Sequence, residues 1–373
     1  MRKIYPILFV LLFLAACVPL KSIRYLVPDS KDSTRSENIT IKQSITPFRF
    51  WPYHQSEKYN ALKEKLDSSL RETKTNAFLV IKNDSIIYQH LAEGTELSDK
   101  QPSFSMVKSF VGTLVGIAID RGEIKSTNDL VIKYLPELAG NDVRFQRLTI
   151  QHVLDMKSGF DFNERAFNPF SKIVRMYYGA DLEKMVRKLK MKREPNTVFE
   201  YQSINTQVLA MILERATGQK LQTLLQENLW KPLGTESDAL WSLDNNGHVK
   251  SFCCMYATAL DFAKFGRLYL NGGKWQGKQI VSEEWVNLTT HPDTLARNRY
   301  KNQIWSGRNY RLFDDGNSSS KEPLIYDFKA QGMFNQSIYV NTQNKVIIVR
   351  LGNRQKRVNF HSFVRDIGRS IAP

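Results

Sequence analysis

The sequence predicts an α+β fold, an antiparallel sheet flanked by helices from both ends of the chain with a mostly helical block between them. Three observations carry this prediction. Ala77-Phe78-Leu79-Val80-Ile81 and Ile86-Ile87-Tyr88 are β-rich runs on either side of Asn83-Asp84, the pattern of a hairpin. Ser337-Ile338-Tyr339-Val340 and Val346-Ile347-Ile348-Val349-Arg350-Leu351 repeat that pattern around a turn at 341–344. Each hairpin has a helical stripe beside it, Leu62, Leu66 and Leu70 before the first and Phe360, Phe363, Val364 and Ile367 after the second. Hairpins make antiparallel sheets, and apolar helical stripes need a sheet face to cover.

Taken in order, the chain begins with Arg2 and Lys3 and an apolar run over 4–16. That run suits the h-region of a signal peptide and falls short of the roughly 20 residues of a membrane span. Leu14-Ala15-Ala16-Cys17 resembles a bacterial lipobox. The expectation is a signal over 1–17, with Cys17 as the lipidated mature N-terminus of a membrane-anchored protein of the bacterial cell envelope, on its periplasmic or outer face. The alternative is an uncleaved anchor running to Leu20. Residues 28–45 are polar, so 18–55 reads as a tether. The folded domain is then expected over 56–373. Within it a long helix spans 105–120 and stops at Gly122. Short helices and loops fill about 123–200, punctuated by Pro136, Pro169 and Pro195. Helices over 206–216 and 258–270 end at Gly218 and at Gly272-Gly273.

Composition removes several function classes. With 42% hydrophobic and 24% charged residues, the chain is globular rather than disordered or fibrous. A net charge of +16 permits an anionic partner, but export argues against nucleic acid and for a membrane or wall surface. Three cysteines make no disulfide framework, and the adjacent Cys253 and Cys254 are expected to be buried and unbridged, since neighbours bridge only under strain. There is no HExxH and no CxxC pair, so no metal is expected. The run from Gly272 to Lys278 approaches a P-loop, but Gln279 stands where magnesium needs Ser or Thr. The absence of Gly-x-Ser-x-Gly argues against an α/β-hydrolase.

The 105–120 helix holds the chemistry. Met106, Val107, Phe110, Val111, Leu114, Val115, Ile117 and Ile119 surround its axis, which predicts burial on all sides. Lys108 lies inside that apolar first turn, one turn after Ser105. Burial lowers a lysine's proton affinity, making Lys108 a candidate base beside a candidate nucleophile. The plainer reading makes Ser105 an N-cap and lets Lys108 snorkel to water. A second Ser-x-x-Lys, Ser318 to Lys321, sits in a polar stretch and is expected to be solvated.

Ser105-Met106-Val107-Lys108-Ser109-Phe110 is followed by Tyr134-Leu135-Pro136-Glu137-Leu138, by Leu148-Thr149-Ile150-Gln151-His152-Val153-Leu154, by Pro232-Leu233-Gly234 and by Ala257-Thr258-Ala259-Leu260-Asp261-Phe262-Ala263. In this order the pieces resemble the serine hydrolases related to class C β-lactamases and penicillin-binding proteins, closest to the 6-aminohexanoate-dimer hydrolase and esterase branch. The resemblance implies the β-lactamase/transpeptidase-like fold, an acyl-enzyme on Ser105 and no cofactor. It implies Tyr201 of Tyr201-Gln202-Ser203 as partner of Lys108, with the lysine's charge favouring phenolate. Ser203 is then expected at the substrate. The strand piece Lys329-Ala330-Gln331-Gly332-Met333 matches the family's third element, Gly332 letting the substrate approach and Met333 N–H joining Ser105 N–H as oxyanion donor. Ala330 stands where lactamases carry a cation, and Lys329 is offset by one residue, so it faces the other side. That favours amide or ester cleavage. A penicillin-recognising peptidase or β-lactamase at the cell wall, and a non-catalytic envelope lipoprotein, are the alternatives.

Overall fold

The computed structural model describes residues 28, 30–54, 56–71, 73–165, 168, 170–179, 181–291, 300–307, 327–353 and 358–371. Its centre is a seven-stranded antiparallel sheet in the order Ser85–Leu91, Thr75–Lys82, Val346–Gly352, Ser337–Asn341, Asp327–Gln331, Ile304–Gly307 and Tyr300–Lys301. The two predicted hairpins therefore lie side by side, joined through the pairing of Thr75–Lys82 with Val346–Gly352. Asn83 and Asp84 both take positive φ, 47° and 62°, as a two-residue turn matched to strand twist requires.

The strands read as continuous apolar runs because both faces of the sheet are covered. Phe78, Val80, Tyr88 and Ile348 face the terminal helices Asn60–Leu70 and Phe360–Ser370, packing with Leu66, Leu70, Val364 and Ile367. Leu79, Ile81, Ile338, Val340, Ile347 and Val349 point the other way, into the main core with helices Val107–Asp120 and Ala259–Leu270. Gly266 lets the latter helix lie directly on the strands: a Cβ there would come within 2.9 Å of Ile347 and 3.0 Å of Ile338.

Between the hairpins lies the expected helical block. Its short helices Val131–Tyr134, Ile150–Leu154 and Leu182–Arg187 gather around Ile204–Thr217, which ends at Gly218 with φ +68°. Val107 to Ala118 are all buried, as the all-round apolar pattern requires.

Two expectations need correction. Residues 30–54 are not a tether. Asn38–Ile41 pairs with Ala239–Ser242 in a four-stranded sheet completed by Met255–Ala257 and Gln101–Pro102. Phe50 is 6% exposed, and the Tyr177 hydroxyl donates to Asp32 at 2.6 Å. The polar composition misled because a short strand holds on through backbone pairing and two inward side chains, here Ile39 and Ile41, packed on the core. Cys253 and Cys254 are also joined as a disulfide. Cys254 adopts φ +70°, in the left-handed region that few residues other than glycine enter. Among the described residues no helix is long and apolar enough to cross a membrane. Cys17, the apolar run before it and the Ser318 to Lys321 pair lie outside those residues.

Candidate active site

The nucleophile candidate sits on a sharp turn. Phe104–Met106 form a 3-10 turn ahead of the Val107–Asp120 helix, and Phe104 takes φ +43°, an uncommon conformation for a bulky residue. The turn is pinned by Ser103, whose N–H donates to Met255 O at 2.7 Å and whose hydroxyl donates to Phe104 O at 3.0 Å. Ser105 itself remains partly open to solvent.

Lys108 does not snorkel. It is 1% exposed, with Nζ 2.9 Å from Ser105 Oγ and 2.8 Å from Phe252 O. Burial pushes its proton affinity down to about 7, against the opposing pull of the Glu164 carboxylate. Near neutral pH a large share of the amine is therefore uncharged. One N–H can go to the Phe252 carbonyl while the lone pair faces Ser105.

Tyr201 joins the same group. Ser105 acts on its phenol electrostatically, and Lys108 Nζ lies 5.1 Å from its ring centroid. The ring stacks on Trp305 at 5.9 Å and meets Tyr300 edge-on at 5.8 Å. The phenolate expectation fails. Burial raises the phenol above its usual range, Ser105 only partly offsets this, and Glu164 adds to the rise. Tyr201 is a neutral phenol, a proton donor.

Ser203, expected at the substrate, stands against Glu164. It is buried, its hydroxyl donates to Glu164 Oε1 at 2.5 Å, and its N–H donates to Oε2 at 2.9 Å. Glu164 is the residue that sequence reading missed. It lies in a loop without periodicity, and its one signal was an acidic residue shortly after Ser158-Gly159.

On the far side, strand Asp327–Gln331 runs up to the nucleophile turn. A Cβ on Gly332 would stand 2.3 Å from Ser103 O and 3.1 Å from Phe104 Cβ, so only glycine fits. Met333 opens the next turn, and the first N–H groups of such turns lack internal partners. Phe334 and Asn335 follow with φ +60° and +64°. Arg350, fully buried, donates to Phe334 O and also to Lys74 O at 3.2 Å. Lys329 pairs across the strands with Tyr339, in the terminal-helix core, and contacts His361. Ala330 pairs with Ile338 in the main core. The offset lysine thus faces away from Ser105, as expected.

The family profile described as Beta-lactamase matches residues 74–369. The chain belongs to the β-lactamase family. Within that family it is 30% identical, over 311 residues, to the 6-aminohexanoate-dimer hydrolase of Paenarthrobacter ureafaciens, covering 77% of this chain and 75% of the relative. A Bacillus anthracis structure, provisionally assigned as a 6-aminohexanoate-dimer hydrolase, superposes with a TM-score of 0.75 at 20% identity over 95% of this chain and 94% of its own. A family VIII carboxylesterase superposes with a TM-score of 0.65 at 14% identity over 84% and 98%. This β-lactamase-family chain is accordingly an enzyme of the serine-hydrolase type, with the β-lactamase/transpeptidase-like fold.

Proposed function

We propose that the chain cleaves an amide or ester through an acyl-enzyme on Ser105. The observation that carries this is the 2.9 Å contact between Ser105 Oγ and a fully buried Lys108 whose proton affinity lies near neutrality. Neutral Lys108 takes the Ser105 proton as Oγ adds to the substrate carbonyl carbon. The oxyanion is received by the N–H groups of Ser105 and Met333, each at the start of a tight turn. The bond to the leaving nitrogen or oxygen breaks as Tyr201 gives it a proton, and the Lys108 ammonium restores the Tyr201 proton. Water then adds to the acyl carbon, its proton passes to Lys108, and Ser105 leaves by the reverse route.

The names of the relatives, a linear-amide hydrolase and a carboxylesterase, support an amide or ester substrate. Ala330, where lactamases carry a cation, weighs against β-lactams. The chain carries out this reaction in the bacterial cell envelope, held to the membrane by lipid on Cys17. A fluorophosphonate should leave one adduct on the protein by intact mass, and none on Ser105→Ala. An adduct that persists in that variant would refute Ser105 as nucleophile.

A further inference from the structure

We infer that the Cys253–Cys254 disulfide positions the Lys108 base by holding the Phe252 carbonyl on its Nζ, so that reducing the bridge with a dithiol slows the acylation of Ser105. The inference rests on the acyl-enzyme reading above and adds a redox-sensitive support to it.

The bridge stands between two main-chain carbonyls that the site uses. One residue before it, Phe252 O accepts from Lys108 Nζ at 2.8 Å. One residue after it, Met255 O accepts from the Ser103 N–H at 2.7 Å, the bond that pins the nucleophile turn. The Met255 side is anchored in a sheet, since Met255–Ala257 pairs with Ala239–Ser242 on one edge and Gln101–Pro102 on the other. The Ser242 N–H extends that anchor by donating to Cys254 O at 3.0 Å. The Phe252 side is a loop. The Trp241 indole N–H holds it through Lys250 O at 3.0 Å and Cys253 O at 3.1 Å, and the Ser251 hydroxyl donates to Gln207 at 2.7 Å.

Cys254 is the joint between the anchored strand and the loop. A side chain at φ +70° is disfavoured and persists only where its surroundings impose it. The covalent link to Cys253 imposes it by limiting the rotations open to both residues. Once the bridge opens, Cys254 is free to return to negative φ. That rotation turns the peptides before it, Phe252 O included, against the fixed strand. Lys108 is buried, so water does not readily replace the lost acceptor. The amine then loses the contact that leaves its lone pair on Ser105.

Reduction is a pair of exchanges. One thiolate of the dithiol attacks a bridge sulfur, the S–S bond breaks, and the other cysteine leaves and takes up a proton. The second thiolate closes the dithiol's own disulfide and releases the remaining cysteine, so the protein gains two electrons and two protons. A bridge of this kind persists in an oxidising compartment, which the proposed export supplies.

The test is fluorophosphonate acylation of Ser105 in the full chain, followed by intact mass, before and after dithiothreitol and again after reoxidation. Thiols are counted by alkylation on denatured aliquots, and reduction should add two. The maximal acylation rate should fall about fivefold, as expected for one lost hydrogen bond, and return on reoxidation. The half-saturating concentration should not change. Cys253→Ala with Cys254→Ala should be slow in either condition. Cys253→Ala with Cys254→Gly should be faster than that pair, because glycine enters positive φ freely, and equally indifferent to the dithiol. Should the dithiol not reach the buried sulfurs, these two variants make the same comparison. An unchanged rate once both thiols are counted overturns the inference. So do a loss confined to the half-saturating concentration, equal rates in the two double variants, or a wild type that forms no bridge under oxidant. If the wild type takes no adduct on Ser105 in either redox state, the acyl-enzyme reading falls, and the inference with it.

Discussion

Replacing Lys108 by methionine should make the protein more stable and inactive. Burial lowers the lysine from 10.5 to about 7 in the folded state. Between those two values the unfolded chain binds a proton that the native state does not, so this group's contribution to stability rises with pH. At or below pH 7 the burial penalty is fully present, on the order of 5 kcal/mol at about 1.4 kcal/mol per unit. Methionine keeps the length of the stem and removes the charge. It also loses the bonds to Ser105 Oγ and Phe252 O, each worth about 1 kcal/mol, and leaves that buried carbonyl unpaired at about 1–3 kcal/mol. The net expectation at pH 7 is a gain of about 0–2 kcal/mol. The sharper quantity is the change with pH: between pH 7 and pH 9 the stability gap between variant and wild type should shrink by about 2–3 kcal/mol, because wild type alone recovers the penalty. Urea unfolding at the two pH values measures it, and the difference cancels every other titrating group. A gap that stays constant would show that Lys108 titrates like a solvated lysine, and the neutral-amine base would have to be abandoned.

Three further outcomes are expected. Gly332→Ala puts a methyl 2.3 Å from Ser103 O, so fluorophosphonate labelling should be lost while far-UV circular dichroism stays native; normal labelling would mean that the turn yields freely. With Ala330 in place of a cation, p-nitrophenyl butyrate should be cleaved with a higher kcat/KM than nitrocefin, since a charge-assisted bond to the lactam carboxylate is worth about 1.5–3 kcal/mol; the reverse order would refute the preference. Cys17→Ser should block processing and membrane partitioning in detergent phase separation, and unchanged behaviour would favour a plain anchor.

What could be read from the chain alone was what local pattern encodes. Ser105 and Lys108 lie in one turn, and eight apolar neighbours around the helix announced that the lysine would be buried. The hairpins and the terminal helices followed from periods of two and of three to four. Tyr201, Gly332 and the offset of Lys329 came from the resemblance to the family's short motifs, not from pattern alone. What the tertiary structure alone decided involves partners far apart in sequence and carried by loops. The Phe252 carbonyl that orients Lys108 is 144 residues away, and Glu164 meets Ser203 across 39. The Asn38–Ile41 strand was hidden by polar composition, because its register depends on a partner 200 residues on. The same reason explains the error over Tyr201. A phenol beside a lysine suggests phenolate, but which of the two keeps the proton depends on how far each is taken out of water, and that is a property of the assembled core.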